Sequence, residues 1–133
     1  MVQLLAGEKG SGKTKVLLEK ANAAAGVSDG NIVFLDLDNS HMYELKNSVR
    51  LINVSDYSIT TAEEFAGFVA GIISADHDLK EIYIDRLRKI AGEDFEKAAI
   101  KISALTEKYD IKCMASASVD SSTLCDDVKA MLI

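Results

Sequence analysis

The chain has 133 residues, about the length of one domain, and its 48% hydrophobic and 27% charged residues are typical of a globular protein rather than a disordered one. Fifteen basic and twenty-one acidic residues give a net charge of −6. This charge argues against a protein whose affinity comes mainly from contacts with nucleic-acid phosphates or an anionic membrane. We expect a single domain spanning residues 1–133.

No membrane or secretory segment is predicted. The longest uncharged run, Phe65 to Ala75, has eleven residues, whereas a bilayer span takes about twenty. The N-terminus lacks the basic, apolar and cleavage regions of a signal peptide. Cys113 and Cys125 stand in no metal-ligand or redox spacing, so we expect reduced, mostly buried thiols in a cytoplasmic protein.

Apolar strand patterns and helix patterns alternate along the chain. In order, they are a strand at 2–6, a helix at 13–25, strands at 31–36 and 50–54, a helix from the Thr61–Glu64 capping box to about 75, a strand at 81–85, a helix at 93–109, a strand at 111–117, and a final helix capped at Asp120 that runs to the C-terminus. Alternation of apolar strands with helices predicts a three-layer α/β fold, with a mostly parallel sheet of about five strands and helices on both faces.

The segment after the first predicted strand, GEKGSGKT from Gly7 to Thr14, matches the pattern G-x-x-x-x-G-K-[ST] at every fixed position. Its glycines let the backbone curl so that successive N–H groups can face a phosphate, and the next helix begins there. The side chain of Lys13 can reach the β- and γ-phosphates. The residues predicted to bind the nucleotide are Gly7, Glu8, Lys9, Gly10, Ser11, Gly12, Lys13, Thr14 and Lys15.

This Walker A motif resembles that of the P-loop NTPases, which implies a nucleoside triphosphate and Mg²⁺ as cofactors. ATP is favoured by default, because the guanine-reading motif of GTPases is absent. The later segment Ile82-Tyr-Ile-Asp85 is similar to their Walker B strand. The resemblance implies that Thr14 and Asp85 hold the magnesium ion and that Lys13 acts in catalysis. In many members that hydrolyse the nucleotide, a glutamate follows the Walker B aspartate. Here that position is Arg86, which departs from the common arrangement for hydrolysis.

The order of elements also resembles the RecA and replicative-helicase branch of these NTPases, which carries its catalytic glutamate just past the second strand. In this chain Asp38 stands nearest that position, and Asp36 is the alternative. Either carboxylate would have to reach the attacking water directly or through one further water molecule.

Several other polar residues lie at or near the ends of the predicted strands or elsewhere in the chain. Ser116 and Ser118 stand where the superfamily often has a γ-phosphate sensor, and their alternative role is to end a strand. Arg86 and Arg88 could contact phosphate or a neighbouring subunit, or could be solvated surface residues. The two histidines, His41 and His77, form no ligand cluster with each other or with the cysteines, and neither is expected to be catalytic.

Three functional hypotheses remain open from the sequence. The first is a RecA-like ATPase that is slow or activated by a partner and acts as a nucleotide switch. The second is a small-molecule kinase, and the third is a nucleotide-dependent interaction module without catalysis. A protein partner or self-association fits each hypothesis, and the guanine-reading tetrapeptide of GTPases is absent. The chain is also similar to short bacterial proteins labelled twitching-motility ATPases, although it lacks the acidic and histidine boxes of pilus-retraction ATPases.

Overall fold

The computed structural model describes the whole chain, from residue 1 to residue 133. The chain forms five strands and five helices, and short 3-10 turns lie in three of the connections. The strands are β1 (Val2–Gly7), β2 (Asn31–Asp36), β3 (Val49–Asn53), β4 (Leu79–Ile84) and β5 (Lys112–Ser118). The helices are α1 (Lys13–Ala25), α2 (Ala62–Ala75), α3 (Leu87–Ala91), α4 (Phe95–Lys108) and α5 (Asp126–Lys129).

All five strands belong to one parallel sheet, with the strand order β1-β5-β4-β2-β3. Residue pairs such as Leu5–Ser116 and Leu35–Ile84 fix the register of neighbouring strands. Because the strands are parallel, their carboxyl ends meet at one edge of the sheet. The segments that follow β1, β2, β4 and β5 are therefore neighbours in space.

Helices cover both faces of the sheet, but unequally. On one face α1 packs over a cluster of nine buried residues, to which it contributes Leu17, Leu18 and Ala21. On the other face the remaining helices enclose a cluster of 26 buried residues. The capping box that opens α2 is present, since the Thr61 side chain accepts from the Glu64 amide and the Glu64 carboxylate accepts from the Thr61 amide.

The alternation predicted from the sequence agrees with these elements, and the bounds of α1 and β2 are those expected. Two differences concern helices. The short helix α3 directly after β4 was not predicted, because five residues are too few to show helical periodicity. The predicted final helix to the C-terminus is wrong: Asp120 caps only a 3-10 turn at residues 121–123, and α5 has one turn.

The last three residues pair with β1 instead of continuing a helix. The amide of Leu4 donates to the carbonyl of Met131 at 2.8 Å, and the amide of Ile133 donates to the carbonyl of Leu4 at 3.1 Å. These bonds form a parallel bridge between Leu4 and Leu132 on the side of β1 that faces away from β5. No helix in the structure has the length and apolar character needed to cross a membrane.

The two cysteines lie in different environments. Cys113 is fully buried in β5, and burial raises the pKa of its thiol to about 12, so this thiol stays protonated at neutral pH. Cys125 is exposed at the start of α5, so the expectation of a mostly buried thiol is wrong there. Its pKa is raised as well, by a hydrogen bond with Glu96.

Candidate functional site

The loop from Gly7 to Thr14 connects β1 directly to α1, the local context expected for a phosphate-binding loop. Gly10 and Gly12 have φ angles of 85° and 89°, a left-handed conformation that side-chain-bearing residues rarely adopt. A Cβ atom at Gly7 would lie 3.2 Å from Oγ of Ser11, closer than ordinary packing. The curl of the loop therefore explains why glycine occupies these three positions.

The side chain of Lys13 folds over the mouth of the loop. Its Nζ atom donates to the carbonyl oxygens of Gly7 at 3.0 Å and Glu8 at 2.7 Å, and to Oγ of Ser11 at 3.2 Å. The helix α1 begins at this lysine and has no acidic residue in its first turn. An ammonium group and a helix N-terminus both favour an anion at this point.

Thr14, in the first turn of α1, is joined to Asp85 at the end of β4. The Thr14 hydroxyl lies 3.0 Å from each carboxylate oxygen of Asp85, and Asp85 itself is fully buried. A hydroxyl and a carboxylate are hard oxygen ligands of the kind that Mg²⁺ prefers. The structure thus brings together the two residues that the sequence predicts to hold magnesium.

Ser116 of β5 completes the environment of Asp85. Its hydroxyl donates to Oδ1 of Asp85 at 2.7 Å and accepts from the backbone amide of Arg86 at 2.9 Å. Ser116 is buried, whereas Ser118 at the end of the same strand is exposed. Ser116 and Ser118 therefore occupy different environments, and of the two only Ser116 contacts the carboxylate of Asp85.

The fully buried carboxylate of Asp36, at the end of β2, lies beside Asp85 and binds two basic side chains. Arg86 donates from Nη2 to Oδ1 of Asp36 at 2.7 Å, and Nδ1 of His41 lies 3.0 Å from Oδ2. Asp38, the other carboxylate considered for positioning water, is half exposed. Its pKa is lowered to about 2 by hydrogen bonds from the side chain and the backbone of Ser40, with a smaller contribution from Arg86.

Arg86 does not project into solvent. Its Nη2 also lies 3.4 Å from Oδ2 of Asp38, and its Nε lies 3.7 Å from Oδ2 of Asp85. Burial acts to lower the pKa of Arg86, but the hydrogen bond and charge of Asp36 and the charge of Asp38 outweigh it, so the pKa is raised. The backbone at Arg86 is left-handed, with φ 59° and ψ 50°. The alternative of a solvated surface arginine is wrong for this residue.

The sequence did not predict the role of His41. The two histidines form no cluster with each other or with the cysteines, but His41 groups with Asp36 and Asp85, and the potential ligand atoms of the three residues lie within 4.8 Å of one another. No spacing in the sequence indicates this group, because it depends on the loop after β2 folding back over the end of its own strand.

A basic pocket of about 430 Å³ adjoins the phosphate loop. Of its lining side chains, Arg86 is held by the acidic residues, whereas Lys9 and Lys89 have no ion pair or hydrogen bond within the chain and Arg88 donates only to the carbonyl of Ser118. The remaining residues predicted to bind nucleotide, Glu8, Ser11 and Lys15, are exposed around the loop. The pocket is lined by Lys9, Arg86, Arg88, Lys89, Gly92, Glu93 and Ser118.

Comparison with known proteins identifies the fold. No protein-family model and no curated protein matches the sequence. Among solved structures, a KaiC-like protein from the hyperthermophilic archaeon Pyrococcus horikoshii OT3 is similar, with a TM-score of 0.63 and 14% sequence identity. The similarity covers 89% of this chain and 62% of the archaeal protein, so the chain spans about three fifths of that protein's length.

This likeness establishes the fold and not an activity. The five-stranded parallel α/β fold expected from the sequence is confirmed, and it is the RecA-like fold of the KaiC-like protein. The likeness does not support the twitching-motility label.

Proposed function

We propose that residues 1–133 form a single domain that binds MgATP and acts as a nucleotide switch, hydrolysing ATP slowly or only when a partner completes the site. The observation that carries this proposal is the contact between Thr14 and Asp85 directly below the phosphate loop. It supports a site in which the loop holds the phosphates and two oxygen ligands stand ready for the accompanying metal ion.

Each residue of the site has a distinct task in this proposal. The curl at Gly10 and Gly12 directs backbone N–H groups toward the phosphates, and Lys13 exchanges its carbonyl contacts for phosphate oxygens. Thr14 and Asp85 hold the magnesium ion. A bound magnesium ion neutralises phosphate charge and orients the β- and γ-phosphates.

Slow hydrolysis follows from the state of the carboxylates. A water-orienting carboxylate must be free to accept a proton or a hydrogen bond. Asp36 is occupied by Arg86 and His41, whereas Asp38 is half exposed but accepts hydrogen bonds from Ser40. In the present arrangement Arg86 and His41 bind Asp36, and Arg86 lies 3.4 Å from Oδ2 of Asp38, so Arg86 restricts both carboxylates, Asp36 more strongly. A partner that draws Arg86 away would release one of them.

The switch involves residues 37–48 and 86–93, which follow β2 and β4. His41 connects the first segment to Asp36, and Arg86 connects the second segment to the same carboxylate. Because Arg86 also lies against Asp85, a change at the metal ligand would reach both segments. Contacts to the γ-phosphate that order or release such loops are a known form of nucleotide switch.

The first test is equilibrium binding of a fluorescent ATP analogue, with and without Mg²⁺, together with phosphate release from MgATP. Lys13→Ala is expected to weaken binding about 100-fold, since a buried charge pair costs roughly 2–5 kcal/mol when one partner is removed. Lys20→Ala, on an exposed face of the same helix, is the matched control and should bind like wild type. Equal binding by the Lys13→Ala variant would contradict the proposal.

The basic pocket favours a second candidate function, phosphoryl transfer to an anionic small molecule. Lys9, Arg88 and Lys89 could hold a phosphate or carboxylate of the acceptor beside the γ-phosphate. An acceptor screen with labelled MgATP distinguishes the two functions, because a kinase transfers label to the acceptor and a switch releases it only as inorganic phosphate. Arg88→Gln should then raise the KM for the acceptor without changing ATP binding.

A further inference from the structure

Asp36, His41 and Asp85 bring three potential metal-ligand atoms close together. The potential ligand atoms, one from each residue, lie within 4.8 Å of one another, and Nδ1 of His41 is 3.0 Å from Oδ2 of Asp36. Two protein ligands bound at about 2.1 Å to one metal ion lie roughly 3 Å apart. The pair His41–Asp36 already has this separation, and a movement of the Asp85 side chain within its bonds to Thr14 and Ser116 would complete a three-ligand site.

Charge favours a cation at the same point. Asp36 and Asp85 are both fully buried, and buried carboxylates are stable only when they are compensated. The fixed positive charge that contacts both is Arg86, so one guanidinium faces two buried carboxylates and the half-exposed Asp38. Lys13 does not contribute, because its Nζ is bonded to the phosphate loop.

Arg86 fits this acidic site imperfectly. Its Nε atom is buried without a hydrogen-bond partner and stands 3.7 Å from Oδ2 of Asp85, beyond hydrogen-bond distance. A buried donor without a partner costs free energy. A cation with less strict directional demands than a guanidinium would satisfy the two carboxylates better.

We propose that Asp36, His41 and Asp85 bind a divalent transition-metal ion without the help of a nucleotide. Imidazole nitrogen suits zinc, cobalt, nickel and copper, whereas Mg²⁺ prefers oxygen ligands alone. His41 therefore distinguishes this site from the magnesium site proposed at Thr14 and Asp85, although Asp85 belongs to both. The proposal rests on the three ligand positions and does not require that ATP binds.

Arg86 limits the affinity of this site, because a metal ion must share Asp36 and Asp85 with a cation that is already present. Removing the guanidinium leaves the same three ligands with more negative charge around them. Arg86→Gln should therefore bind the metal ion at least about tenfold more tightly, a change of about 1.4 kcal/mol in binding free energy. Such a gain cannot result from misfolding.

The test is a titration of the full chain with Co²⁺, without nucleotide, followed by the visible absorption of the metal ion. All proteins carry Cys125→Ser, which removes the exposed thiol as an alternative ligand. We expect saturable binding of one Co²⁺ per chain. His41→Gln should lower the affinity about 100-fold, since even loss of a group that only orients a ligand costs about 10- to 100-fold.

His77→Gln is the matched control, because His77 is exposed and lies outside the group formed by Asp36, His41 and Asp85. This variant should bind Co²⁺ like the parent protein. Unchanged affinity and absorption in His41→Gln would overturn the proposal. So would the lack of saturable binding in both the parent protein and Arg86→Gln. Binding of MgATP is measured on the same samples, so a failure of the metal site is distinguished from a failure of the proposed nucleotide site.

Discussion

Nη2 of Arg86 donates a hydrogen bond of 2.7 Å to Oδ1 of Asp36, joining the ends of β4 and β2. These strands are neighbours in the sheet, so the contact spans one strand spacing although the residues are 50 positions apart in the chain. The position after the Walker B-like aspartate, where many P-loop NTPases have a glutamate, here supplies a cation to the acidic cluster. Asp36, one of the two carboxylates proposed to orient water, is thereby paired with a guanidinium.

Ser116 is expected to be important for stability. In Ser116→Ala the amide of Arg86 loses its acceptor in a partly buried environment, and Asp85 loses a donor in a buried one. Leaving a buried polar group without a partner costs about 1–3 kcal/mol, so we expect a loss of about 2 kcal/mol in the free energy of unfolding, measured by urea denaturation.

Ser118→Ala is the matched control for this measurement. Ser118 lies on the same strand but is exposed, and exposed substitutions usually change stability by less than about 0.5 kcal/mol. Equal losses in the two variants would show that the hydroxyl of Ser116 has no special structural role.

The left-handed backbone at Arg86 predicts an unusual preference for glycine. Arg86→Gly and Arg86→Ala both lack the guanidinium, but alanine keeps the penalty of about 1–2 kcal/mol for a left-handed residue. Glycine offsets part of its advantage through greater freedom in the unfolded chain. We expect the glycine variant to be more stable than the alanine variant by up to about 1 kcal/mol in urea denaturation.

At Arg88 the same two substitutions should have the opposite order of stability, with alanine more stable than glycine. Arg88 lies within α3, where glycine is less favourable than alanine by roughly 0.5–1 kcal/mol. If alanine were the more stable substitution at both positions, the backbone at Arg86 would not carry the expected strain.

Asp38 should make stability depend on pH in the acid range. Hydrogen bonds from Ser40 lower its pKa from 3.8 to about 2 in the folded protein, so the folded state favours the ionised carboxylate. The resulting stabilisation is fully present above the unfolded pKa and is lost as the pH falls through the folded value. The difference in unfolding free energy between wild type and Asp38→Asn should therefore shrink between about pH 4 and pH 2.

Because Asp38 is half exposed, solvent screens this contribution, and the effect should be small at high salt. The measurement is urea denaturation of both proteins across this pH range. If the difference in unfolding free energy between the two proteins stayed constant over this range, the Ser40 contacts would not hold the Asp38 carboxylate ionised in solution.

Much of the fold could be predicted because short local sequence patterns specify many of its elements. The glycine-rich segment, the capping box at Thr61 and the apolar runs each identify an element without reference to the rest of the chain. The order of the strands could not be predicted in this way, since it depends on which faces pack together. The prediction of a C-terminal helix is wrong for a related reason, because the backbone groups of this segment bond to Leu4, at the other end of the sequence.

The candidate site likewise includes residues that a local pattern indicates and residues whose contacts depend on the folded chain. Gly7 to Thr14 and Asp85 are recognisable by pattern, and the resemblance to the P-loop NTPases implies that Thr14 and Asp85 lie close together. The contact of His41 with Asp36 depends on how residues 37–48 fold, and no periodicity governs that loop. Arg86 was visible as a departure from the NTPase pattern, but its inward direction depends on a left-handed backbone that the sequence does not indicate.

The unequal covering of the sheet has a consequence for local unfolding. Helix α1, which begins at the phosphate loop, belongs to a cluster of nine buried residues, three of them its own, whereas the cluster on the opposite face has 26. Detaching α1 would expose the smaller of the two clusters, so we expect this opening to cost less free energy than disrupting the opposite face. A ligand held at the first turn of α1 would raise that cost directly, because it binds only the closed form. The candidate nucleotide site thus belongs to the helix that covers the smaller of the two buried clusters.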